Sequence, residues 1–203
     1  VGLTYFFRDL QTLELIRDQA LPTLNSYQRI SIWDAGCARG PEPYTLALLL
    51  RETLGEAGYG KVSITASDLD PTGKFCGIVT EAIYGRDEVD RVPPEILERH
   101  FKPVDGGDRY QVSAEVRSAV HFTQHDLLAL KPVGQGFGLI LCKNVLLHFT
   151  EEERRNVMRM FYEALIPGGY FATEQTQKLP ADLQMLFEPV VSHAQLYRKR
   201  GGA

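Results

Sequence analysis

Asp34, Gly36, Gly40 and Glu42 fall in one short run, Ser31-Ile-Trp-Asp-Ala-Gly-Cys-Ala-Arg-Gly-Pro-Glu-Pro-Tyr44, and their spacing suits the capture of a small cationic ligand. Glycines at 36 and 40 supply backbone freedom and omit the side chains that would keep a ligand off the loop. A dinucleotide site asks for Gly-x-Gly-x-x-Gly; the run here is Asp34-x-Gly36-x-x-x-Gly40, without the middle glycine. Asp34 ahead of the first glycine and Glu42 past the last are poor company for a pyrophosphate. They suit S-adenosylmethionine, which carries an ammonium and a sulfonium where a dinucleotide has its phosphates. Two other readings stand beside this one: a glycine-rich turn that binds nothing, and a nicotinamide site with an incomplete fingerprint.

The elements that must position these residues follow from the flanking pattern. Ile30, Ile32 and Trp33 make a buried strand, and Pro41 and Pro43 suit the first turn of the helix that continues through Tyr44-Thr-Leu-Ala-Leu-Leu-Leu-Arg51. Val62-Ser-Ile-Thr-Ala-Ser67 reads as a second strand ending at Asp68-Leu-Asp70. An acid at that point is placed to accept hydrogen bonds from ribose hydroxyls. Asp68 is assigned to the ribose and Asp70 to capping the helix that follows. Ala119-Val-His-Phe-Thr123 is a third strand, and the Asp126-Leu127-Leu128 stretch after it could bracket an adenine ring. Phe137-Gly-Leu-Ile-Leu-Cys142 is an apolar run typical of a central parallel strand. It delivers Asn144 and Val145 to the carboxyl edge, where open α/β sheets bind ligands; Asn144 could instead satisfy a loop carbonyl.

At the other end, Thr4-Tyr-Phe-Phe-Arg-Asp9 sets Arg8 among aromatics, which suits a guanidinium held for bidentate contact with a carboxylate. Leu10, Leu13, Ile16 and Ala20 continue at helical spacing, and the helix should stop near Pro22. Residues 85–116 break the α/β alternation: Glu95–Phe101 suggests a short helix, and Asp105-Gly-Gly-Asp108 a hairpin turn, so a small inserted β-subdomain is expected there. Thr150-Glu-Glu-Glu153 is a capping box ahead of a helix that Pro167-Gly168-Gly169 stops. Leu186–Arg200 reads as an antiparallel edge pair with a solvated Arg198-Lys-Arg200 tip. Together these give a doubly wound α/β fold with four strand–helix alternations. Its ligand edge carries acids for an ammonium and a ribose, and nothing basic for a pyrophosphate.

The totals exclude several classes. A chain of 203 residues suits one domain, and a formal net charge of -4 argues against nucleic acid as the main partner. The three cysteines, Cys37, Cys76 and Cys142, are scattered and read as reduced. The five histidines lack metal-ligand spacing, so no metal is expected. No apolar run approaches a membrane span, no signal peptide is visible, and a cytoplasmic monomer is expected.

Four motifs in this order carry a resemblance: Thr4-x-Phe-Phe-Arg-Asp9, Gly36-Cys-Ala-x-Gly-x-Glu-Pro-Tyr44, Ser67-Asp-Leu-Asp70 and Cys142-x-Asn-Val145. The chain resembles the CheR-type chemotaxis receptor methyltransferases from Thr4 to about Tyr197. The resemblance implies a Rossmann-like class I methyltransferase sheet, mostly parallel with an antiparallel C-terminal edge. It also implies methyl esters formed on receptor glutamates, with S-adenosylmethionine as donor, S-adenosylhomocysteine as product and chemoreceptor cytoplasmic helices as substrate. Carried over by position, cofactor contacts fall on Thr4, Arg8, Glu42, Asp68, Asp126, Leu127, Asn144 and Val145, with Ala35, Gly36 and Gly40 in the turn. Glu42 would take the ammonium, Asp68 the ribose, and Asp126 with Leu127 the adenine. Arg8 would also be the catalytic residue, nearest the methyl group.

The departures fall on the substrate side. The family's Cys-Arg-Asn-Val is Cys142-Lys-Asn-Val145 here, its aromatic three residues after the valine is His148, and its Gly-His-Ser-Glu is replaced by Glu174-Gln-Thr-Gln177. Asp126 stands where asparagine is usual, Gly-Glu-Glu-Pro-Tyr reads Gly-Pro-Glu-Pro-Tyr, and the family's N-terminal helical domain is expected to be absent. Two further readings follow: a sensor that binds the donor or its product without catalysis, and a methyltransferase for another acceptor.

Overall fold

The computed structural model describes residues 4–201. Seven strands form one sheet in the order β6-β2-β1-β7-β8-β10-β9. These are β1 (Ile30–Ala35), β2 (Val62–Asp68), β6 (Val120–Gln124), β7 (Phe137–Cys142), β8 (Leu165–Thr173), β9 (Phe187–Pro189) and β10 (Leu196–Lys199). The first five in that order run parallel, and β10 is antiparallel to both β8 and β9. This is the class I Rossmann-like methyltransferase architecture, with a mixed sheet and an antiparallel edge.

The apolar character of the central strands decides the layering. Every residue of β7 is buried, as a strand covered on both faces requires. On one face Leu139 and Leu141 join Ile32 and the helix α3 (Pro41–Tyr59), which buries Tyr44 and Leu46 to Leu50. On the other, Ile140 and Cys142 join Trp33 and the helix α7 (Glu151–Ala164), with its buried Val157, Met158, Met160 and Phe161. Trp33 meets Phe161 edge-on at 5.1 Å, and its indole N–H donates to Ser67 Oγ at 2.8 Å, so the buried ring leaves no polar atom unpaired.

The capping box forms as expected: Glu153 N–H donates to Thr150 Oγ1 at 3.3 Å, and Thr150 N–H donates to Glu153 Oε2 at 2.8 Å. Thr150→Ala is expected to cost about 1 kcal/mol. For a domain of this size that is a fall in Tm of roughly 2–4 °C, read by thermal denaturation.

The inserted unit is a three-stranded antiparallel sheet of order β3-β5-β4, from β3 (Ile83–Gly85), β4 (Phe101–Val104) and β5 (Arg109–Val112). It starts at Ile83, ahead of the expected boundary at Gly85. The helix α4 (Phe75–Glu81) leads into it, α5 (Pro94–His100) joins β3 to β4, and α6 (Ala114–Arg117) returns the chain to β6. Asp70 serves the start of α4 as expected, accepting from the amides of Lys74 and Phe75 at 3.0 Å each.

Three local expectations are corrected. The N-terminal helix does not stop at Pro22: α1 (Leu10–Leu15) passes through a π-helical turn, Ile16–Ala20, into α2 (Leu21–Leu24), with Pro22 in its first turn. A widened turn just before a proline removes the clash and the missing donor that would otherwise end a helix. No α-helix joins β6 to β7; a single 3₁₀ turn, Leu127–Ala129, stands there, so three strand–helix alternations form instead of four. Pro167, Gly168 and Gly169 lie within β8, where the pairing with β7 shifts register. The basic tip is exposed at Arg198 and Arg200 as expected, while Lys199 between them is half-buried, its Nζ donating to the carbonyls of Tyr162 and Leu165 at 2.7 Å each.

Candidate functional site

The glycine turn leaves the carboxyl end of β1 against Val145. Gly36 has φ +102°, and a Cβ built on it would lie 2.1 Å from Val145 Cγ2, so only glycine fits this approach. The turn is held from the next strand. Asp68, at the end of β2, accepts from the Ala38 N–H at 2.9 Å through one oxygen and from the Asp70 N–H at 3.1 Å through the other. Gly40 has φ +103° and packs under the loop, where a Cβ would meet the Tyr84 hydroxyl at 2.6 Å.

Two hollows flank the turn. The first, about 200 Å³, is polar and takes Thr4, Arg8, Glu42, Asp68, Lys143 and Asn144 among its walls. The second, about 190 Å³, is walled by Asp126, Leu127, Leu128, Leu69 and Phe149. Gly36, Asp68, Val145 and His148 border both, so the two are lobes of one cleft. Leu69 and Leu128 are among the exposed large apolar side chains of the protein, at 55% and 42%. Of the expected cofactor residues, nine line the lobes: Thr4, Arg8, Gly36, Glu42, Asp68, Asn144 and Val145, with Asp126 and Leu127 in the apolar one. Ala35 and Gly40 do not; Ala35 is buried in the core, and Gly40 shapes the loop from beneath.

Beyond the polar lobe lies an outer cavity of about 420 Å³, with Gln11, Thr12, Leu147, Glu174, Gln175 and Thr176 among its lining residues. Arg8, Lys143 and Asn144 line both. Arg8 Nη2 donates to Asn144 Oδ1 at 3.3 Å, and its Nε lies 3.6 Å from Asp9 Oδ2. The backbone around Arg8 is unusual, since Phe7 has φ +59° and Asp9 +48°. It is held by anchors on either side: Phe6 is fully buried against Tyr84 at 4.9 Å and Phe101 at 5.6 Å, and Phe7 N–H donates to Thr45 Oγ1 at 3.0 Å. Tyr5 receives the Arg91 guanidinium at 4.1 Å from its ring centre.

The cleft holds a second base besides Arg8, one to which the sequence reading gave no role. Lys143 stands two residues past Leu141 on the inward face of β7, its side chain 1% exposed, with Nζ 3.1 Å from Glu42 Oε2 and 3.6 Å from Asp9 Oδ2. A buried ammonium persists only with a counter-charge, and Glu42 provides it. Burial pushes the Glu42 carboxyl up, with the Lys143 charge and hydrogen bond acting against the rise. Asp34 is wholly buried and neither of its oxygens has a hydrogen-bond partner among the described residues. Burial first, then the Glu42 charge, holds its carboxyl well above the usual range. Burial also raises the Cys37 and Cys142 thiols, which leaves both poor nucleophiles.

Asp9, Lys143 and Glu174 were given no site role by sequence reasoning, and Asp34, read there as an acid for a cationic ligand, lies buried behind the cleft. The available signal was Lys143 itself, a charge following six buried apolar residues. Glu174 holds the backbone at the outer cavity, its Oε2 accepting from Asn144 N–H at 3.0 Å and Thr173 Oγ1 at 2.8 Å. This clamp keeps Asn144 at φ +59°.

The donor set fits an amphipathic cationic ligand. Carboxylates occupy the polar lobe, apolar side chains the other, and a Cβ at Gly36 would collide with the wall between them. Among the described residues there is no group of His, Cys, Asp and Glu that could hold a metal, and no helix long and apolar enough to cross a membrane.

A family profile described as "CheR methyltransferase, SAM binding domain" matches residues 2–195. A chemotaxis protein methyltransferase of Listeria monocytogenes is 33% identical over 188 residues, which cover 90% of this chain and 68% of that one. Chemotaxis protein methyltransferase 1 of Pseudomonas aeruginosa is 34% identical, over 90% of this chain and 69% of its own. Among solved structures, the rRNA methyltransferase aviRa of Streptomyces viridochromogenes superposes with a TM-score of 0.58 at 16% identity. That match covers 98% of this chain and 86% of the other, a likeness of fold alone.

Proposed function

This chain belongs to the family of CheR methyltransferase SAM-binding domains, and from that premise we propose that it transfers a methyl group from S-adenosylmethionine to glutamate side chains of chemoreceptor-like proteins. The observation that carries this reading is the meeting of the polar lobe with the outer cavity at Arg8 and Asn144. On this reading the donor occupies the lobe, the acceptor enters the outer cavity, and the two meet there.

In this reading Glu42 takes the ammonium of the cofactor, Asp68 its ribose hydroxyls, and Asp126 with Leu127 its adenine. Asn144, Val145 and Thr4 close around the methionine portion. When bound, S-adenosylmethionine supplies an electrophilic methyl group on a sulfonium. A glutamate carboxylate is already ionised at pH 7, so the chain need not supply a base. Its tasks are alignment and the exclusion of water from a weak nucleophile. Arg8 is placed to orient the incoming carboxylate, being tethered to Asn144 at the junction of the two cavities.

Calorimetry with S-adenosylhomocysteine tests the cleft, and labelled methyl transfer to receptor-containing membranes tests the reaction. A methyl ester gives up its label as methanol in base; label stable to base would mean another acceptor atom, and binding without transfer would leave a sensor. The Glu174-Gln-Thr-Gln177 segment, which departs from the family's Gly-His-Ser-Glu and puts Glu174, Gln175 and Thr176 in the wall of the outer cavity, favours a changed acceptor as the second reading.

A further inference from the structure

Glu42 is already engaged before any ligand arrives, because Lys143 Nζ lies 3.1 Å from it. An incoming ammonium must share that carboxylate or displace the lysine. Sharing would set two ammonium groups against one buried carboxylate, which is costly. A second acid stands within reach. In the β1–β7 pairing Asp34 lies opposite Leu141, and Lys143 follows Leu141 on the same face of the neighbouring strand. Both Asp34 oxygens are buried and unpartnered among the described residues.

We propose that Lys143 is a displaceable counter-ion, holding Glu42 in the ligand-free chain and moving to Asp34 when the ammonium of the cofactor takes that carboxylate. Lys143 is thus a positioning residue, and the inference rests on the reading of the cleft as a site for S-adenosylmethionine. The exchange balances: the Glu42–Lys143 pair and a neutral Asp34 become a Glu42–ligand pair and an Asp34–Lys143 pair, and the Asp34 proton leaves to solvent. Lysine suits the task, since its compact ammonium swings on a flexible four-carbon stem.

The surroundings support this direction. Burial and the charges of Glu42 and Asp68 keep Asp34 protonated, while Lys143 opposes them, so a closer Lys143 favours ionisation. Asp9, 3.6 Å from Lys143 and half exposed, is the rival destination, but it is solvated and shared with Arg8. Glu174 is a second rival: its Oε2 holds the Asn144 amide and the Thr173 hydroxyl, but its Oε1 is buried and unpartnered among the described residues, so the Asp34→Asn variant must separate the two. The raised thiols of Cys37 and Cys142 stay protonated throughout.

Calorimetric titration of the full chain with S-adenosylhomocysteine near pH 7, in phosphate and in Tris, counts the protons exchanged. About one proton released per ligand is expected, so that affinity rises with pH. Asp34→Asn should bring the count to about zero and weaken binding roughly tenfold, and that loss should vanish in a Lys143→Met background. Binding with no proton released by the unaltered chain overturns the inference, as does an Asp34→Asn count still near one. If Asp34→Asn does not fold, the infrared carbonyl band of a protonated acid decides: it should disappear when the unaltered chain binds, and its persistence overturns the proposal. Absence of any binding removes the cofactor reading as well, whereas binding without proton release removes this inference alone.

Discussion

Arg8→Ala is expected to lower methyl transfer by about two orders of magnitude while changing S-adenosylhomocysteine affinity by less than about threefold, because misalignment of reacting groups costs rate on that scale. The guanidinium lies at the junction of the polar lobe and the outer cavity, hydrogen-bonded to Asn144 and close to Asp9. The bound product still has Glu42 and Asp68 on this reading. Lys143 also borders the outer cavity, but its side chain is 1% exposed and paired with Glu42, which leaves Arg8 the better placed of the two cations for the acceptor carboxylate. Arg8→Lys should recover only part of the loss, because an ammonium cannot reproduce the planar fork. Comparing kcat with the calorimetric Kd decides the matter. A fall in affinity with unchanged kcat would show that Arg8 serves the cofactor alone.

Gly36→Ala is expected to abolish measurable cofactor binding and to destabilise the fold by about 2–4 kcal/mol. Two costs combine: a left-handed conformation forced on a residue with a Cβ, and overpacking against a filled site. The added carbon would lie 2.1 Å from Val145 Cγ2. Val145 must then move, and it forms part of both lobes of the cleft. Gly73→Ala separates the two costs, for Gly73 also has positive φ, +67°, but nothing within 4 Å of its added Cβ. That variant should lose only the backbone share and keep its affinity. Denaturant unfolding and calorimetry on both variants check the comparison, and equal behaviour would mean that the approach to Val145 is immaterial.

The sheet was legible in the sequence because each central strand announces itself by local pattern. Phe137–Cys142 is apolar throughout and Val62–Ser67 alternates, and both stand where expected. Capping at Thr150 and Asp70 is equally local, and the hydrogen bonds confirm it. What escaped depends on partners far along the chain. Lys143 reads only as a departure from the family's motif until Glu42, 101 residues earlier, is seen beside it. Asp34 reads as an acid for a cationic ligand until its burial is known. The π-helical turn before Pro22 has no sequence signal comparable to the proline itself, so the stop sign was read and the detour was not. The 3₁₀ turn that replaces a helix after β6 shows the limit of counting alternations, since Asp126 caps so short a turn as readily as a longer helix.

Phe6 sits between the aromatic rings of the small sheet and the segment that carries Thr4 and Arg8. The small sheet is therefore a piece of the cleft wall, and a chimera that exchanges residues 83–112 for those of a relative would disturb a loop nearly eighty residues upstream in the chain. Such a graft should succeed only when the incoming rings at positions 84 and 101 still accept a phenylalanine edge.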